Sequence, residues 1–263
     1  MDHSPAPRTD HLVGGLALTR RRPAGATTTV VLVHGAMDRA ASFGRVMRRL
    51  GDLDVIAYDR RGYAGSMEAG TAVDLEAHLE DLAMVAAWST PDNLIVVGHS
   101  IGGLIALLAA RDHLACMPLR ALGAYEAPMA WIGDDDRSTG DPTLDVAHRS
   151  GPADAAEFFY RSMVGDRTWD RLRTSDRAAR RAEGPALVAE LTAVRHPAAP
   201  FTFDRITATV HIARGATSAG YLRRAAAEMA AATGTECEEV AGAGHGAHLS
   251  HPDEFARWVR AMT

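Results

Sequence analysis

Ser100 lies in the run Gly98-His99-Ser100-Ile101-Gly102, and its surroundings make it a candidate nucleophile. A serine hydroxyl is a weak nucleophile until a base stands within reach and donors are aimed at the oxyanion it creates. A Gly-x-Ser-x-Gly turn that joins a strand to a helix exposes the hydroxyl to such a base and places an amide beside it. Here Leu94-Ile95-Val96-Val97 reads as a buried strand before the turn, and residues 104–111 read as a helix after it. Gly98 and Gly102 let the two elements approach closely. The turn lifts Ser100 Oγ clear of the sheet. The Ile101 amide opens the helix, where unpaired N–H groups suit a developing negative charge. An ordinary β–α turn with a capping serine is the plainer alternative, and the strand–turn–helix setting argues against it. The chemistry is acyl transfer through a serine-bound acyl intermediate.

A parallel sheet is the frame such a turn needs. Residues 28–33 form a β-branched run ending at His34-Gly35, and residues 53–58, 94–97, 119–125, 208–213 and 236–240 read as further strands. A first strand is expected over 12–20. Helices are expected over 40–50, 73–88, 104–111 and 221–232, and Pro252 opens a last one. Strands alternating with helices imply an α/β fold, with helices on both faces of a mostly parallel sheet. Between Met129 and Phe203 the alternation stops. This stretch has helix-like segments at 153–163 and 186–194, and it carries Trp131, Phe158, Phe159, Tyr160, Trp169, Phe201 and Phe203. It reads as a helical cap whose inner face lines a pocket, so residues 1–128 and 204–263 form the core and 129–203 the insertion.

With 263 residues and 47% hydrophobic content, the chain can bury a large core. Its formal net charge of −5 and the acidic residues interleaved with Arg171–Arg181 argue against nucleic-acid binding. The polar first eleven residues lack an apolar segment, and no stretch has the length of a membrane span. Cys116 and Cys237 match no ligand spacing and are expected as buried, reduced thiols of a cytoplasmic protein. Abundant Ala and Arg with little Lys suggest a GC-rich bacterial source.

Taken together, Val33-His34-Gly35-Ala36, Tyr58-Asp59-Arg60-Arg61-Gly62-Tyr63-Ala64-Gly65-Ser66, the Ser100 turn and Gly242-Ala243-Gly244-His245 resemble the α/β-hydrolase superfamily. The resemblance covers almost the whole chain outside the cap. It implies a twisted sheet of about eight strands with the cap after the sixth. It also implies roles. Ser100 matches the nucleophile, and His245 the base that takes its proton and returns it to the leaving group. His248 is left as a pocket-edge or capping residue. The spacing of His245, His248 and His251 lacks the carboxylate of HExxH, and no metal is assigned. Ile101 and Ala36 match the two oxyanion-hole amides. His34, Asp59, Arg60 and Gly62 fall at positions whose role is structural. Met37, His99, Trp131, Phe158 and Phe159 are the candidate substrate contacts.

The chain departs from the superfamily pattern at the acid. The usual place is after the strand ending near Ala213, yet no carboxylate lies between Asp204 and Glu228. Glu126, closing the preceding strand, keeps the order Ser, acid, His and is the best substitute. Asp134, Asp135 or Asp136 of the cap, or a Ser–His pair helped by water, Thr217 or Ser218, are the alternatives. The implied activity is hydrolysis of an ester, thioester, lactone or related acyl bond in a small to medium, partly apolar substrate, with no cofactor. No nucleic-acid or membrane partner is expected, and either a monomer or a homodimer fits. A C–C bond hydrolase, a cofactor-free haloperoxidase-like enzyme and a non-catalytic binding protein are the rival readings.

Overall fold

The computed structural model describes residues 8–71, 74–128, 140–195 and 202–263. Over these the chain builds an eight-stranded sheet from β1 (Arg8–Val13), β2 (Leu16–Arg21), β3 (Thr28–Val33), β4 (Asp54–Tyr58), β5 (Asn93–His99), β6 (Leu119–Tyr125), β7 (Thr209–Gly215) and β8 (Cys237–Val240). Their spatial order is β1-β2-β4-β3-β5-β6-β7-β8. β1 pairs antiparallel with β2, and β2 with β4; all later pairings are parallel. The α/β-hydrolase architecture expected from the sequence is therefore the observed one.

Continuous apolar strands arise here because both faces are covered. Successive residues go to opposite sides. Val31, Val33, Leu94 and Val96 face one core with α2 (Glu76–Ser89), α3 (Ile101–Asp112) and α9 (Gly220–Thr233). Val30, Leu32, Ile95 and Val97 face the other, with α1 (Gly44–Arg49) and α11 (Pro252–Arg260). The chain leaves β3 toward β4 on one side and later returns to place β5 on the other. The strand order thus reverses between β3 and β5, and a crevice opens at their carboxyl ends.

The single strand expected over 12–20 is instead the hairpin β1–β2, turning on Gly14 (φ 58°) and Gly15 (φ 85°). Two adjacent residues with positive φ match the twist of an antiparallel pair, and glycine adopts them freely. The helix expected over 40–50 begins as a 3-10 turn, Ala40–Phe43, before α1. The thiols also differ from expectation. Cys116 is exposed on the link from α3 to β6, and Cys237 is half-buried on the edge strand β8.

Between β6 and β7 the described residues form α4 (Gly140–Ser150), α5 (Pro152–Val164), α6 (Asp166–Asp170), α7 (Thr174–Ala182) and α8 (Gly184–Arg195), with no strand among them. Ala156 and Phe159 of α5 and Ala186 and Leu187 of α8 pack on Met37 and Tyr63, which follow β3 and β4. These helices therefore sit over the carboxyl ends of the central strands. No described helix is long and apolar enough to cross a membrane.

Candidate active site

The turn after β5 is built by steric exclusion. A Cβ on Gly98 would lie 2.1 Å from Gly102 O, and one on Gly102 would lie 2.3 Å from Val33 O. Only glycine fits at either place. Ser100 itself has φ 54° and ψ −129°. Holding an L-residue there costs on the order of 1–3 kcal/mol, which surrounding contacts must offset. One such contact is the Ser100 N–H, donating to Tyr125 O of β6 at 2.8 Å. Met37 (φ 54°) and Glu126 (φ 48°) are strained in the same sense. All three follow parallel strands at one end of the sheet.

Glu126 is fully buried, and its Oε2 lies 2.7 Å from His245 Nδ1. Its Oε1 accepts from the Gly215 N–H at 2.8 Å. The last residue of β7 thus supplies an amide for the carboxylate, and the loop after it carries no carboxylate of its own. Burial pushes the Glu126 carboxyl upward, but the hydrogen bonds it accepts, that from His245 foremost, outweigh it and hold the group below the usual glutamate range. An ionised acceptor at this position makes Nδ1 the donor, which leaves His245 Nε2 as the basic nitrogen.

The turn carrying His245 is pinned at three successive carbonyls. Ala243 O accepts from the Thr217 N–H and Oγ1–H, both at 2.9 Å. Gly244 O accepts from the Tyr125 hydroxyl at 2.8 Å, and His245 O from His99 Nε2 at 2.8 Å. Thr217 is therefore engaged with the backbone before His245. His99 is buried, with its ring 4.6 Å from that of His245 and 4.4 Å from that of His248. Burial, and then the neighbouring histidines, keep it neutral. For His248 the sequence suggested a pocket-edge or capping place. It is buried, with Nε2 3.0 Å from Asp38 Oδ2.

The three C-terminal histidines diverge: His245 goes to Glu126, His248 to Asp38 and His251 to Ser250. A different group, Asp38, His99 and His248, brings three donor atoms within 4.8 Å of one another. Two of them already satisfy each other, as described.

Among the described residues, neither the Ala36 nor the Ile101 amide donates to a backbone acceptor. Ala36 follows β3 and Ile101 follows β5, neighbouring strands paired in parallel with Val33 opposite Gly98. The two amides therefore flank the crevice. The peptide before Ala36 is fixed from behind. His34 is fully buried, and its Nδ1 donates to Gly35 O at 2.7 Å while its Nε2 accepts from the Arg60 N–H at 2.9 Å. Burial, reinforced by Arg60, lowers its pKa to about 3 and keeps the ring neutral.

Of the candidate substrate contacts, Met37 and Phe159 meet in the apolar cluster beneath α5 and α8. Phe158, one residue round the helix, is 39% exposed. Trp131, like Asp134, Asp135 and Asp136, lies outside the described residues. Sequence reasoning missed Tyr125 and the Asp38–His248 pair, and offered Thr217 only as a helper of a Ser–His pair, not as an anchor of the turn before His245. It also assigned no chemistry to Arg60, which makes more contacts at the site than any of these.

A model of the alpha/beta hydrolase family matches residues 30–258, and the chain belongs to that family. No curated protein matches it. Among solved structures it is similar to a bromoperoxidase from Bacillus anthracis, with 19% identity, TM-score 0.74, and coverage of 97% of this chain and 99% of that one. It is also similar to a thermophilic esterase from Thermogutta terrifontis, with 19% identity, TM-score 0.67, and coverage of 98% and 99%. The epoxide hydrolase CorEH is a third, at 18% identity and TM-score 0.71, covering 97% and 98%. At these identities the likeness is one of fold, and the names span several reactions.

Proposed function

We propose that this chain is a serine hydrolase that cleaves an acyl bond, with Ser100 as nucleophile, His245 as base and Glu126 as the acid that orients it. The observation that carries this reading is the 2.7 Å contact between Glu126 Oε2 and His245 Nδ1, in a chain with no carboxylate in the loop after β7. His245 Nε2 removes the Ser100 proton as Oγ bonds to the carbonyl carbon, and Glu126 stabilises the resulting imidazolium. The negative charge moves to the carbonyl oxygen, held by the Ala36 and Ile101 amides. The leaving group takes the proton from Nε2 and departs, and water then releases the acid by the reverse sequence. Met37, Tyr63, Phe159 and Leu187 form an apolar wall beside Ala36, which suits a small to medium, partly apolar acyl group.

A fluorophosphonate probe tests the reading. It is expected to label the wild-type protein and not Ser100→Ala, and p-nitrophenyl esters of increasing chain length are expected to be hydrolysed by the wild type alone. A wild-type protein that is neither labelled nor active would overturn it in favour of a non-catalytic binding protein.

A further inference from the structure

We infer that Arg60 and Glu190 form a positioning device that aims the Ala36 amide at the oxyanion and makes it depend on the seating of the helices α5–α8. The inference rests on the serine-hydrolase reading above. Its starting point is the peptide between Gly35 and Ala36. In a trans peptide, C=O and N–H point in opposite directions, and the described chain contains no cis bond. Whatever grips Gly35 O therefore sets the direction of the Ala36 N–H.

Gly35 O is gripped twice, by Arg60 Nη2 at 3.0 Å and by His34 Nδ1 at 2.7 Å. Arg60 Nε donates as well to His34 O at 2.9 Å. One guanidinium thus holds two consecutive carbonyls of the loop. Charge-assisted donors on a carbonyl also polarise its peptide, which strengthens the N–H on the far side as a donor.

Arg60 is itself held by the insertion. Its guanidinium is fully buried and pairs with Glu190 of α8 through Nη1 to Oε1 and Nη2 to Oε2, the latter at 3.2 Å. Tyr63 Oη donates to Glu190 Oε2 at 2.9 Å, and His78 Nε2 lies 3.1 Å from Oε1. On the other side of Ala36, Arg180 of α7 donates to Met37 O at 2.7 Å. Two helices of the insertion therefore hold the loop on both sides of the oxyanion amide. If they lift, Met37 O loses Arg180, and Arg60, which stays with the core, loses the Glu190 carboxylate that fixes its guanidinium on Gly35 O. The hole is completed when the insertion is seated over the substrate.

The test compares the double variant Arg60→Met/Glu190→Met with Arg180→Met, wild type and Ser100→Ala. The double replacement avoids leaving an unpaired buried charge, the costly outcome when one partner is removed. Turnover of a p-nitrophenyl ester and affinity for an arylboronic acid, which forms a tetrahedral adduct on the serine, are measured after circular dichroism shows folding. The expected result is kcat lower by about tenfold to a hundredfold, KM within about threefold, and boronate affinity falling in step with kcat/KM. A folded double variant with wild-type kcat, or one whose loss sits in KM with boronate affinity intact, overturns the inference. If the double variant does not fold, Arg180→Met decides by the same split, with a smaller expected loss. Failure of the underlying reading is separate: it appears in the wild type as Ser100-independent or absent turnover, and removes the inference with it.

Discussion

Glu126 and His245 lie 119 positions apart in the sequence, and their side chains meet at 2.7 Å because β6, β7 and β8 are successive parallel neighbours, with Glu126 just after the first and His245 just after the last. Glu126 donates its backbone N–H to Ala213 O and then turns at φ 48°. Its carboxylate meets the carboxyl end of β7, where Gly215 supplies an amide. Replacing it with glutamine keeps the volume and an acceptor for Gly215 but no longer compels the tautomer that leaves Nε2 basic. For Glu126→Gln we expect kcat to fall by about a thousandfold to ten-thousandfold with KM little changed, the magnitude seen when a triad acid is neutralised. Steady-state kinetics beside a thermal melt check this. A kcat within tenfold of wild type would remove Glu126 from the role.

Gly98 leads to a prediction about folding rather than catalysis. A methyl group there would stand 2.1 Å from Gly102 O and 2.3 Å from Gly103 N, all backbone. Gly98→Ala must therefore separate β5 from α3 at their closest approach, and we expect a loss above about 4 kcal/mol or no folded protein. Gly220→Ala, where the nearest atom is the flexible end of Arg224 at 3.8 Å, is the control and should change stability by less than about 1 kcal/mol. Urea unfolding of the two variants distinguishes them.

His99 is expected to act through His245. Its Nε2–H holds His245 O, and its ring lies against the His245 ring. His99→Phe preserves an aromatic filler and removes the hydrogen bond. A displacement of about 1 Å at a catalytic group can cost on the order of a hundredfold, so kcat should drop tenfold to a hundredfold while KM stays near wild type. A change confined to KM would instead place His99 at the substrate.

What the sequence made legible follows from locality. β3 and β6 fall where β-branched and apolar runs place them, and the elbow is a five-residue motif with its own steric logic. Glu126 could be singled out because a long stretch without carboxylates removed its rivals. The β1–β2 hairpin was missed although Gly14-Gly15 is itself a turn signal; weak alternation over 12–20 hid it. α7 has no buried residue and is covered with arginine, so periodicity could not mark it as part of the site. The link from Arg60 to Glu190 spans 130 positions. A trace of it was present: Glu183, Leu187, Glu190 and Val194 lie at spacings of four, three and four, on one buried face. Two carboxylates in an apolar stripe signal buried cations across the interface, but not which ones.

That stripe yields a last prediction, on acid stability. Burial alone would raise the Glu190 carboxyl, but the Arg60 guanidinium and His78 overcome it and bring its pKa down from 4.5 to about 2. Asp38 is held low against burial by His248, and Glu126 chiefly by His245. A carboxyl with a depressed folded-state pKa stabilises the fold fully above its unfolded value. It loses that contribution as pH falls through the folded value, because the unfolded chain takes up the proton first. Stability should therefore decline steeply from pH 4.5 towards pH 2. In Arg60→Met/Glu190→Met one of these groups is gone, so the slope of unfolding free energy against pH should be shallower by up to one proton over that window. Glu183 runs the other way: burial raises its carboxyl above the usual value despite Arg180 and Arg39. Its ionisation opposes folding as pH rises above 4.5, so Glu183→Gln should remove a loss of stability above that pH, whereas the Glu190 replacement flattens the decline below it. Urea titrations at half-unit steps between pH 7 and 3 separate the two, one variant differing from wild type above pH 4.5 and the other below it. Equal slopes in wild type and both variants would show that neither carboxylate is held as its surroundings imply.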